Sequence, residues 1–408
     1  MTASTAVFRL PAADESLPDT YARFRAAGPV VPVELPGGVR VWAVTTHAAV
    51  REVLAGDDTR FGKHPSHWAA LRDGEVPSDW PFLPLVSGEH MLVQDGRDHL
   101  RLRALVSREF TPARVSALRP RIVEIVGNLL DALEANPGEV DLVPEFTEQL
   151  PLAVVCELLG IPETDLPRLR AWTEILFSHL STAAQTHDAR QEMLAYLSIL
   201  ADHKRLAPRT DLTSAMVRGQ DAERLTAREL VDCLFLLIIA CHETTVHMLG
   251  HAIIGLLANP AQLVLAAEGN RWGDVVEEAL RRTPPVYGDM FRYALSTTDV
   301  AGVPIAAGDA LLLCIGGAAT DPSHHGPDAA EFDITRFDST RPLNGHLAFG
   351  HGAHFCVGAP LARLEGRIAL AALFTRMPAL KPAVPLDDIP YSPSFLTYGP
   401  LSLPVVPG

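Results

Sequence analysis

The chain has 408 residues, 48% hydrophobic and 20% charged, with a formal net charge of −15. It is long enough for a large core and ordinary in composition for a folded soluble protein, while the acidic balance argues against nucleic acid or an anionic membrane as partner. Five cysteines, an odd number with no C-x-x-C pair, exclude a disulfide framework or zinc ribbon and fit a reducing cytoplasm.

The first residues, "MTASTAVFRLPAADESL", lack a basic stretch followed by an apolar one, so neither a signal peptide nor a membrane anchor is expected. Residues 30–44, "VVPVEL", "PGG" and "VRVWAV", read as strand, turn, strand. After them the helical period dominates. Residues 115–136 keep apolar side chains three and four apart, and 144–159, 165–180, 187–205, 227–257, 271–283 and 359–376 also read as helices. Residues 292–315 read as short strands around turns. With no repeat or low-complexity linker, the expectation is a mainly α fold with a small β-rich region, in a single domain over 1–408.

Segment 97–121 holds seven arginines against Asp98 and Glu109, and within it His99 and Arg103 share a helical face at i, i+4. Either a solvated helix face or a docking patch for an acidic protein follows from such charge. Further on, "LFLLIIACHETTVHMLGHAIIGLLA", residues 234–258, is long enough to span a membrane. Its centre, His242, Glu243, Thr244 and Thr245, is expensive in lipid, so a buried core helix with an active site is expected. Two metal readings compete there. "HETTVH" approaches the zinc pattern H-E-x-x-H but has Val246 at the second histidine. Glu243, His247 and His251 share one face at i, i+4 and i+8 and could hold a divalent ion.

"FGHGAHFCVGAPLAR", residues 349–363, places Cys356 among glycines just ahead of a helix. A helix N-terminus favours a sulfur anion. Gly350, Gly352 and Gly358 let backbone approach a flat ligand, and Phe349 can cover the sulfur. A buried structural cysteine is the plain alternative.

Phe349, Gly352, His354, Cys356 and Gly358 fill every position of F-x-x-G-x-[HR]-x-C-x-G, and here the sequence resembles the soluble bacterial cytochrome P-450 haem-thiolate monooxygenases. "EEALR" supplies Glu278 and Arg281 of an E-x-x-R pair, and "EFDITR" supplies Arg336, which completes that structural ion cluster in the family. "ACHETT" resembles the distal-helix pattern A-G-x-[DE]-T, with Cys241 in place of glycine. The resemblance covers roughly residues 15–405. It implies the P-450 fold, with haem b between a long distal helix and the proximal cysteine loop, and Cys356 as axial iron ligand. It further implies His99, Arg103, Arg292 and His354 as partners of the propionates, and Phe349, Gly350, Gly358 and Ala240 against the haem. Thr244 and Glu243 would relay protons to dioxygen.

Aromatic and apolar residues in the family's pocket regions, Trp68, Trp80, Phe82, Phe177, Met290 and Phe395, with Cys241, suggest an apolar guest. The implied reaction is hydroxylation or epoxidation of a small apolar molecule in bacterial secondary metabolism. Oxidative C–C or C–N coupling is the alternative within the fold; a metal-dependent hydrolase and a haem sensor are alternatives outside it. No G-x-G-x-x-G follows a strand, so electrons are expected from a ferredoxin and its reductase. A cytoplasmic monomer is expected.

Overall fold

Strands Val30–Leu35 and Val39–Val44 pair antiparallel around Pro36-Gly37-Gly38, as the sequence predicts. Gly37 (φ 81°) and Gly38 (φ 74°) supply the left-handed backbone that the tight turn requires. The structure, a computed structural model, describes residues 7–10, 15–136, 138–178, 180–222, 224–337 and 345–407. The hairpin belongs to a six-stranded sheet ordered Phe8–Arg9, Val30–Leu35, Val39–Val44, Ala310–Leu313, Asp289–Ala294, Phe61–Gly62. The pairing of Val39–Val44 with Ala310–Leu313 is parallel. The predicted β-rich patch thus joins the N-terminal hairpin across some 270 residues of chain.

Helices make up the rest. The longest, Ala227–Ala258, spans 32 residues. Thr226 caps it, accepting from Glu229 N–H while the Glu229 side chain reaches back to the cap. By length and composition this helix could cross a membrane. Here it is a core helix, packed against Gln149–Leu159, Ala183–Leu206, Trp272–Arg282 and Ala359–Arg376.

Where helix ends differ from expectation, local chemistry gives the reason. Residues 115–136 form two helices, Pro112–Ala117 and Arg119–Glu134, divided at Leu118. Residues 144–159 begin as a π-turn at Val143–Thr147 before Gln149–Leu159. The helix expected at 165–180 is Leu166–Phe177. The one expected at 187–205 starts earlier, at Ala183, because Thr182 and Gln185 form a capping box.

Candidate functional site

The loop carrying Cys356 is closed by backbone bonds from Gly350 N–H to Leu347 O (2.8 Å) and from Cys356 N–H to Phe349 O (2.8 Å). Gly350 (φ 73°) and Gly352 (φ 77°) lie in the left-handed region. A Cβ on Gly352 would come 2.6 Å from Leu54 O. These two glycines therefore serve the turn and its seat on helix His47–Ala55, a reason the sequence did not reveal. Gly358 has ordinary backbone (φ −80°) and keeps a side chain off the sulfur, since a Cβ there would lie 3.7 Å from Cys356 Sγ.

Burial raises the Cys356 thiol, while the amides of Gly358 and Ala359 and the guanidinium groups of Arg103 and Arg363 pull it down; burial prevails. The residue is exposed. Beneath the loop, Arg363 lies 4.6 Å from the Phe349 ring centroid. Arg363 also holds Glu277 at 2.5 and 2.9 Å, and His346 Nε2 lies 3.1 Å from the same carboxylate. Burial pushes Glu277 up, yet Arg363 and His346 hold it at about 2. This support was not singled out from sequence. Its signal was the first glutamate of "EEALR" and the arginine of "APLAR".

Several cations gather beside the loop. The His99 and His354 rings stack with centroids 4.0 Å apart. Both ring nitrogens of His99 and the Nε2 of His354 are buried with no hydrogen-bond partner among the described residues. Burial depresses both imidazoles, and the Arg103 charge depresses them further. Arg103 bonds only the carbonyl oxygen of Phe355. Arg292 is different: it pairs with Asp57 (2.6 Å) and Asp289 (3.1 Å). Buried Lys63, absent from the sequence expectation, also pairs with Asp289 (3.0 Å). The charge of Arg292 is thus balanced within the protein, whereas His99, Arg103 and His354 present unmet donors.

On the long helix, Ala240, Cys241 and Thr244 share a face by the 3.6-residue period. Ala240 is exposed in the middle of an apolar helix. Burial, then the charges of Cys356 and Glu365, raise the Cys241 thiol. The Thr244 hydroxyl donates to Ala240 O at 2.6 Å, so its proton is committed to the helix and its lone pairs are left to accept. Glu243 does not bond Thr244. Its Oε1 accepts from Thr397 Oγ1 at 3.0 Å, and burial raises its carboxyl to about 7 against that bond. Thr397 was not foreseen.

A cavity of about 630 Å³ lies on the flank of the helix away from Thr244, lined by His242, Glu243, Val246, His247 and Phe177 among others. Glu243 stands between this cavity and the Thr244 face. The Glu365 carboxyl, buried on helix Ala359–Arg376 with Oε2 unpartnered, is raised by burial to about 8.

Glu278 is fully buried. Arg281 grips it at 2.7 Å through two nitrogens, and Arg336 approaches to 3.4 Å. Removing one partner of such a buried cluster costs about 3–5 kcal/mol.

Other expectations need correction. Trp80 and Phe395, like Trp68, are core residues rather than pocket lining. Trp80 donates its indole N–H to Pro36 O at 2.8 Å and stacks on Phe291. Phe82 and Met290 are half-buried against this aromatic cluster. Phe177 lines the flank cavity, 5.6 Å from the His242 ring. Neither metal reading of the long helix assembles. His242 Nε2 bonds Glu148 O, Glu243 bonds Thr397, and His251 packs beside the stacked rings of Tyr391 and Tyr398.

The arginine-rich segment is partly neutralised. Arg101 pairs with Asp98 and Glu229, Arg114 with Glu109, and Arg121 with Glu124, Glu157 and Glu163.

Comparison with known proteins decides among the readings. The cytochrome P450 family model matches residues 273–397. The chain is 41% identical over 397 residues to cytochrome P450 monooxygenase PikC of Streptomyces venezuelae, covering 95% of this chain and 90% of that one. It is 37% identical over 393 residues to 6-deoxyerythronolide B hydroxylase of Saccharopolyspora erythraea, covering 95% of each. The fold matches CYP154C4 from Streptomyces sp. W2061 with a TM-score of 0.92, at 38% identity over 99% of this chain and 98% of that one.

The chain belongs to the cytochrome P450 family. It is a haem-thiolate monooxygenase, and the mainly α architecture with small sheets is the P450 fold. The residues present fit a haem. An accessible thiol at a helix N-terminus offers an iron ligand, and the orphaned nitrogens of His99 and His354 with Arg103 offer donors for two propionates. With haem bound, Cys356 would hold the iron as a thiolate, helped by the amides of Gly358 and Ala359. When bound, thiolate-ligated haem supplies dioxygen activation. On this chain, His99, Arg103 and His354 would hold the propionates and Cys356 the iron, while Thr244 bonds Ala240 O and Glu243 accepts from Thr397.

Cys241 is where the P450 pattern is broken. Removing its side chain should change substrate affinity by about fivefold, the equivalent of roughly 1 kcal/mol for a buried group of that size. Titrating Cys241→Gly with substrate while following the haem spectrum checks this. Unchanged affinity, product distribution and coupling would mean that the replacement is neutral.

Proposed function

We propose that this P450 hydroxylates or epoxidises a small, largely apolar product of bacterial secondary metabolism, using haem b held by Cys356. One observation carries the assignment: exposed Cys356 stands just ahead of helix Ala359–Arg376, beside the stacked rings of His99 and His354, whose buried nitrogens lack hydrogen-bond partners among the described residues. The absence of C-x-x-C-H from the sequence supports a haem held without thioether bonds. The similar polyketide biosynthesis cytochrome P450 PksS of Bacillus subtilis makes polyketides the first class to screen. Compounds that shift the haem absorption should be turned over under ¹⁸O₂. Label in the product is expected, and a coupled product without label would replace oxygenation by oxidative coupling.

A ferredoxin, itself reduced by a reductase, is the proposed electron donor. Support comes from the face around the cysteine loop. Arg97, Arg108 and Arg119 are exposed and form no ion pair among the described residues, and Leu100 (62% exposed) and Phe355 (41%) lie with them on the basic segment and the loop. Arg101 is a poor probe of docking because Glu229 holds it at 2.6 Å. Reduction by ferredoxin should slow with rising salt, because exposed charge is screened, and should slow about tenfold in Arg108→Glu, roughly 1.4 kcal/mol of steering. Stopped-flow reduction rates indifferent to both changes would place docking elsewhere.

A further inference from the structure

We propose that His47, His324 and His325 form a site for a borderline divalent cation, zinc above all, separate from the haem site. Each offers one ring nitrogen, and the three donor atoms lie within 4.8 Å of one another. A tetrahedral zinc with bonds of about 2.0–2.1 Å holds its ligand nitrogens roughly 3.4 Å apart, so the stacked His47 and His324 rings turn out of parallel to share one ion. Three imidazoles favour zinc over the oxygen-seeking magnesium or calcium.

The backbone fixes the cluster. His47 opens helix His47–Ala55, and His324 and His325 end the single turn Pro322–His325. Asp321 ties the two, accepting from His47 N–H at 2.9 Å and from Ser323 N–H and Oγ at 3.0 and 2.7 Å. The His47 and His324 rings stack with centroids 3.4 Å apart, and His325 meets both edge-on.

The hydrogen bonds settle which nitrogens can bind a cation. Nε2 of His47 and Nε2 of His324 each lie 3.1 Å from the same carbonyl oxygen, that of Gly345. A carbonyl only accepts, so both Nε2 atoms carry hydrogen and the lone pair of each neutral ring is on Nδ1. Metal-binding histidines are held in this way, one N–H anchored on a carbonyl and the other nitrogen turned to the metal. His325 contributes a third nitrogen, since its buried Nε2 has no hydrogen-bond partner. His324 is exposed, so water can complete the coordination.

The site has a structural consequence. Gly345 leads into the cysteine loop, and that loop already rests on helix His47–Ala55 where Gly352 meets Leu54 O. A cation here would cross-link helix His47–Ala55 and the Pro322–His325 turn, which both hold the entry to the loop through Gly345 O.

The test uses tag-free, haem-loaded protein and zinc alone. After incubation with ZnCl₂ and desalting, elemental analysis should find one zinc per chain. The thermal midpoint should rise and return to its starting value with EDTA. His324→Ala and His325→Ala should each weaken zinc binding at least tenfold while the reduced carbonyl spectrum stays that of the parent. His187→Ala, a substitution of an exposed histidine on helix Ala183–Leu206, should leave binding unchanged. If His325→Ala does not fold, exposed His324 decides alone. No zinc retained by the parent, or equal retention by His324→Ala, overturns the proposal.

Discussion

Cys356→Ser is expected to abolish the red-shifted band of the reduced carbonyl form and to lower turnover at least ~10³-fold, about 4 kcal/mol of transition-state stabilisation. The effect is large because the surroundings are arranged for sulfur. The amides of Gly358 and Ala359 point at Sγ, and Arg103 and Arg363 add positive charge; burial alone opposes ionisation. Serine keeps the backbone and the volume but is a far weaker acid than a thiol, so the same donors cannot hold it as an anion. The fold should survive, because Cys356 joins the loop through its backbone N–H to Phe349 O. Absorption spectra of the ferrous carbonyl complex and product assays check both halves. A parent-like band in Cys356→Ser would remove Cys356 as the iron ligand.

What the sequence could and could not disclose follows from range. The hairpin at 30–44 was legible because β-branched residues flank a Pro-Gly-Gly turn, all within 15 residues. The long helix was legible because its apolar run is continuous and its cap local. Cys356, Glu278 with Arg281, and the Glu243–Thr244 pair were legible for the same reason, each lying within one short pattern. The missed partners come from far away in the chain. Thr397 is 154 residues from Glu243, and Asp57 is 235 residues from Arg292. Nothing local distinguishes Trp80 as a core residue from Trp80 as a pocket residue. The distinction rests on Pro36 O, which accepts its indole N–H. The pairing of Arg101 was hidden in the same way, since Glu229 reaches it from the start of the long helix.

Glu243→Gln is expected to cut product formation by about 10²–10³-fold, the range general acid–base groups supply, and at the same time to stabilise the protein at alkaline pH. Both effects follow from a carboxyl raised to about 7 by burial beside the 630 Å³ cavity. A carboxyl that titrates near neutrality can take a proton from cavity water and release it towards the Thr244 face; glutamine can do neither. Thr397 orients it, donating to Oε1 at 3.0 Å. Activity of the parent should therefore fall as pH rises through about 7, and the variant should lack that limb.

The stability effect has the opposite sign. The unfolded carboxyl titrates near 4.5 and the folded one near 7, so between these values the folded state binds more protons. Stability is greatest below pH 4.5 and is lost as pH rises to about 7. The loss is at most about 3 kcal/mol, and less because Glu243 borders the cavity and is only partly enclosed. Glutamine carries no such charge, so at pH 8 Glu243→Gln should unfold at a higher temperature than the parent, while at pH 5 the difference should be several-fold smaller. A structural role would instead make the variant less stable at both. Product per electron and thermal midpoints at pH 5 and 8 separate the two. A carboxylate that weakens the fold where the enzyme works, and whose removal costs turnover, is held there for its proton.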